Sequence, residues 1–154
     1  VLELDKSASY EPLPAAACSY LAYTLVEATG VAVIKEDADF EDYVSGASGR
    51  GCQATAVGTG ADFESPAAVA ASVSDLMVAQ GWTKDARYAA GGPMGTAAAF
   101  RQDNDLCWLQ INWEPSADAD CPADQPIAAC ELTPEQHLYM AVLNCAQTIS
   151  SSAE

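Results

Sequence analysis

Between residues 15 and 29 the apolar positions Cys18, Leu21, Ala22, Leu25, Val26 and Ala28 recur at three- and four-residue intervals and stop at Gly30. That spacing predicts an amphipathic helix closed by a glycine. A second helix is better marked. Ser65 can cap it, Pro66 occupies the first turn where its missing N–H is not needed, and Gly81 ends it after Gln80. Its buried stripe reads as Val69, Val73, Leu76 and Met77.

Elsewhere the period shortens to two. Residues 52–59 alternate the small Cys52, Ala54, Ala56 and Gly58 with larger or polar side chains, the pattern of a strand whose small-residue face lets a helix pack close. Residues 96–101 and 106–113 flank the polar turn Gln102-Asp103-Asn104-Asp105 and read as a β-hairpin. In the second of these strands Cys107, Leu109, Ile111 and Trp113 form the core face, and Leu106, Trp108, Gln110 and Asn112 point the other way. A short β-branched run at 31–34 precedes the acidic stretch 36–42 and a glycine-rich loop at 45–51.

The ends are less regular. Residues 1–12 are polar and lead through Pro12 and Pro14 into the fold, so they read as an extended arm, with 13–149 as a single α+β domain and 150–154 as a polar tail. The last element is ambiguous by pattern. Thr133-Pro134-Glu135-Gln136 resembles a helix capping box, whereas the continuous apolar run 138–143 suits a buried strand. A strand is favoured because the hairpin needs further partners to make a stable sheet. The predicted fold is a disulfide-stabilised two-layer α+β sandwich, with two helices on one face of an antiparallel sheet of four or five strands.

Six cysteines in 154 residues sharpen this picture. None lie in a Cys-x-x-Cys pair, which disfavours structural zinc and dithiol redox chemistry; an even, well-spread set suits three disulfides in an oxidising compartment. Cys121 and Cys130 flank a short acidic Pro-containing loop and are expected to pair, while Cys18, Cys52, Cys107 and Cys145 admit three pairings. The chain opens at Val1 without a methionine or apolar leader, as a mature secreted product would, and no apolar run approaches the roughly 20 residues that cross a bilayer. A secreted, extracellular or cell-surface location without membrane insertion is expected.

The formal charge of −16 argues against nucleic acid or anionic membrane partners, because phosphate binding needs lysines and arginines. Solubility or a salty medium explains such a surface most simply; a cationic partner or bridging divalent cations are the sharper explanations.

Candidate chemistry is sparse. The lone histidine, His137, has no Gly-x-Ser-x-Gly elbow beside it and reads as structural. Carboxylates such as Glu27, Glu64 and Glu114 carry no motif, so a carboxylate-dependent hydrolase is the weakest functional class. Calcium is the one cofactor suggested, through Asp37, Asp39 and Glu41 and through Asp118 and Asp120 with Asp124, although the first set departs from an EF-hand at its sixth and twelfth positions. Lys84, Arg87 and Arg101 read more readily as partners of nearby acids than as an anion site. Trp108 with Gln110 and Asn112 offers an indole flanked by amides, suited to a sugar ring or an extended peptide, while Trp82 and Trp113 read as core. The leading expectation is a non-enzymatic protein-interaction module or subunit of an extracellular assembly, associating through the N-terminal arm or a sheet edge. A monomeric glycan- or peptide-binding domain is the alternative.

Overall fold

The computed structural model describes residues 9–92, 95–119, 121, 124 and 131–149. Its elements are β1 (Ser9–Pro12), α1 (Ala15–Thr29), β2 (Val33–Glu41), β3 (Ser48–Thr59), α2 (Pro66–Ala79), β4 (Thr83–Lys84), β5 (Ala90–Gly92), β6 (Gly95–Gln102), β7 (Asp105–Pro115) and β8 (His137–Ile149). Both helices end where their punctuation predicts. Gly30 takes the left-handed conformation at φ 76° and returns its N–H to the Val26 carbonyl, and the Ser65 hydroxyl accepts from the Ala68 N–H at 3.0 Å.

The expectation of four or five antiparallel strands is corrected. The sheet has eight strands in the order β2-β3-β1-β8-β7-β6-β4, with β5 sharing the outer edge of β6, and it is mixed because β1 runs parallel to β3. The additional strands β1, β4 and β5 have four, two and three residues, too few for a periodic pattern to show. Residues 9–12, expected to be part of a free arm, are an interior strand. β3 and β8 pair directly from Cys52↔Cys145 to Thr59↔Leu138, then part to admit β1, which pairs with residues 146–149 of β8 and meets Gly49 of β3 through Tyr10. A Cβ at Gly49 would overlap the Tyr10 backbone, so the wedge requires glycine there.

The acidic stretch is strand as far as Glu41. β2 is an edge strand, where side chains meet water on both sides, and its Lys35, Glu36, Asp37, Asp39 and Glu41 discourage pairing with another sheet. The last element is the predicted strand, and the Thr133 capping-box sequence folds a single 3-10 turn, Pro134–Gln136, ahead of it.

Both helices pack on one face of the sheet. Leu21 and Leu25 of α1 and Val69, Val73 and Met77 of α2 bury against Ala54, Ala56, Phe100, Leu109, Ile111 and Leu143. The small residues of β3 admit α1 closely enough for Cys18 to bond Cys52, with Cα atoms 6.1 Å apart, and Cys107–Cys145 joins directly opposed residues of β7 and β8 with Cα atoms 4.0 Å apart. Cys121 is also disulfide-bonded; the expected partner, Cys130, lies outside the described residues, as do 1–8 and 150–154. Trp82 and Trp113 are core, as expected. The opposite face carries a small second core at one end, made by Tyr10, Phe40, Ala99, Leu106 and Ala146, which explains why Leu106 is fully buried although it points away from the helices.

Candidate functional site

Beyond that second core, no described helix covers the far face of the sheet. Strand alternation delivers Trp108, Gln110 and Asn112 to this face in a line along β7, Trp108 half-buried and the two amides exposed. The structure therefore brings all three together. Register places Val57, Met140 and Asn112 side by side on β3, β8 and β7, and Ile34, Thr55, Val142 and Gln110 in the neighbouring row. Ile34 is 66% exposed, Val57 58%, Met140 50% and Leu138 38%. Sequence reasoning missed these apolar positions. Their signal is the run 138–143, apolar on both sides of a strand, which suits double burial, whereas the described helices cover only one side.

At the Trp108 end the face dips into a cleft of about 280 Å³, walled by Tyr43 and Val44 of the β2–β3 turn and by Arg87 and Tyr88 of the segment between β4 and β5. The Trp108 ring lies 6.3 Å from Tyr43 and 6.4 Å from Phe40, and its Nε1 is buried with no acceptor among the described residues.

A polar clasp holds the cleft walls. Asp42, 1% exposed, accepts the Tyr10 hydroxyl at 2.8 Å, the Tyr88 hydroxyl at 2.5 Å and the N–H groups of Val44 and Ser45 at 3.0 and 3.2 Å. Arg101 donates to the Tyr88 hydroxyl and to Asp85, both at 2.9 Å, and Arg87 grips Asp85 with two further bonds. Burial opposes the Asp42 charge, but the bonds from Tyr88, Tyr10 and Ser45 outweigh it and hold the carboxyl down at about 2. Burial and then the bond to Asp42 push Tyr88 up to about 12. The bonds from Arg87, against some burial, hold Asp85 below the usual carboxylate range. Both carboxyls are thus ionised and satisfied at neutral pH, which suits positioning rather than proton transfer. No sequence signal announces this clasp, since its members are scattered from β1 to β6.

The remaining candidates are dispersed. Arg87 and Arg101 pair with acids, as expected; Lys84 is exposed on β4. Asp37, Asp39 and Glu41 share one side of β2 at successive spacings of about 7 Å, and Asp39 pairs with Arg50 at 2.6 Å. Asp118 accepts from the Ser116 hydroxyl, and Asp120 lies outside the described residues. Among the described residues no three His, Cys, Asp or Glu side chains gather as a metal site requires. Glu27, Glu64 and Glu114 are exposed on α1, on the approach to α2 and on β7. His137 sets Nδ1 3.1 Å from the Thr133 carbonyl and its ring 4.3 Å from that of Trp113, a packing position. Among the described residues no helix is long and apolar enough to cross a membrane.

No protein-family model, curated protein or solved structure matches this chain.

Proposed function

We propose that this chain is a secreted or cell-surface, non-enzymatic protein-interaction module that docks its partner on the uncovered face of the sheet. One observation carries the reading. β8 has the composition of a strand buried on both sides, yet Leu138 and Met140 stand exposed beside Val57 and Ile34. A contiguous apolar area rimmed by polar groups is characteristic of a surface that is covered in use. The Cys18–Cys52 and Cys107–Cys145 disulfides support an oxidising setting. The face is preferred to residues 9–12, which are paired inside the sheet, and to the β2 edge, which is charged.

Selection of displayed peptides on the immobilised oxidised chain, with and without calcium, tests this. Peptides enriched on the wild type should lose at least about tenfold in affinity on Met140→Glu, since a charge then occupies an apolar contact. Enriched peptides that bind both forms equally would place the docking surface elsewhere.

A second reading is favoured by Trp108, which lines the cleft with Tyr43 and Tyr88 and whose buried Nε1 has no partner among the described residues. It assigns the cleft to a sugar ring or an extended peptide, with Trp108, Gln110 and Asn112 as the contact line. Trp108→Ala should then abolish binding of any glycan found by array screening; unchanged binding would exclude the site.

A further inference from the structure

We propose that the partner covering the uncovered sheet face is a second copy of this chain, packed sheet against sheet about a twofold axis. The inference rests on the docking reading above and adds the identity of the occupant. Charge selects it. The chain carries a formal charge of −16, so two copies repel almost wherever they approach. The apolar rows are an exception: the side chains from Val57 across Met140 to Asn112, and from Ile34 across Thr55 and Val142 to Gln110, are all neutral. The nearest carboxylates on that face, Glu36 and Glu114, lie one row outside, at the rim. A cationic protein would be drawn to the acidic surfaces instead, and this face would offer it no charge to recognise. On such a face a copy equally acidic elsewhere can meet its mate without opposed carboxylates.

Twofold packing also suits the shape. A self-complementary patch contacts itself, so each apolar residue counts twice, and aligned sheets pack about 10 Å apart with their side chains interdigitating. Four strands about 4.8 Å apart and two rows about 6.6 Å apart cover roughly 19 by 13 Å. That is about 250 Å² of projected face per copy, well below the roughly 800 Å² per partner of standard interfaces, so the dimer is expected to be weak and reversible. Because like charge opposes association, added salt strengthens it, the reverse of a charge-driven complex.

Sedimentation velocity on the oxidised full chain, from about 10 µM to about 1 mM and at low and high salt, reads this directly. The expected result is a monomer that shifts toward dimer with concentration and further with salt. Met140→Glu and Ile34→Lys should each weaken the dimer by about 100-fold while leaving the thermal melt unchanged, because both side chains are exposed in the monomer. Tyr20→Ser, on the outer side of α1, should leave it intact. A wild type that stays monomeric at the highest concentration overturns the proposal, and so does a dimer indifferent to both face variants. A monomer whose selected peptides still require Met140 would remove the second copy and leave the docking face standing. A monomer whose selected peptides ignore Met140 would remove both.

Discussion

Asp42 shows how a single side chain can organise a distant set of elements. It is buried, ionised and saturated with donors, and it ties β1, through Tyr10, to the β2–β3 turn and to the cleft wall at Tyr88. Its carboxyl sits at about 2 in the fold against an ordinary value of 3.8, so its contribution to stability is present above pH 4 and is lost as pH falls through about 2. The shift corresponds to about 2 kcal/mol. Chemical denaturation of the wild type and Asp42→Asn across that range should show a shallower acid limb in the variant; superimposable limbs would mean that the clasp does not titrate as described. Tyr88 works in the opposite direction. Its folded value of about 12 lies above its unfolded one of 10.0, so its contribution holds below pH 10 and disappears as pH rises toward 12. Tyr88→Phe should flatten that alkaline limb in the same assay.

At the scale of elements, what could be read in the sequence follows from how locally each element is determined. Both helices were legible because caps, proline and glycine lie within their own span, as Gly30, Ser65-Pro66 and Gly81 show. The β6–β7 hairpin was legible because its turn residues are local, with Asp103 taking φ 55° beside Asn104. β1 was not, since Ser9–Pro12 has no period of its own and is a strand only because β3 and β8 part around it. β2 was concealed differently: an edge strand tolerates the alternating acids that otherwise mark a loop. Gly49→Ala should expel β1, since the added Cβ has no room beside the Tyr10 backbone, at a loss of about 1 to 3 kcal/mol. Hydrogen exchange at residues 9–12 would then accelerate ahead of the rest of the sheet; unchanged protection there would contradict the wedge. The Cys107–Cys145 bond closes a separation of 38 residues across the sheet centre, and Cys107→Ala with Cys145→Ala should lower stability by about 2 to 4 kcal/mol in denaturant unfolding.

For the whole molecule the governing feature is asymmetry between the two sides of one sheet. Two helices and a disulfide seal one side, and among the described residues the other is sealed only at the end where Tyr10, Phe40 and Leu106 meet. The candidate line Trp108, Gln110 and Asn112 could be read from alternation, because it lies on one strand. Its apolar neighbours could not, since Ile34, Val57 and Met140 become adjacent only through the register of β2, β3 and β8. Sequence pattern shows which residues share a side of a strand, but not whether anything in the chain covers that side. The claim that this side is covered by a docked protein is tested most directly by hydroxyl-radical footprinting of the oxidised chain, free and in its associated state. The account predicts that labelling of Ile34, Val57 and Met140 falls on association while Tyr20 and Tyr23 on α1 keep theirs. Protection that falls on α1 instead, with Met140 labelled equally in both states, would contradict it.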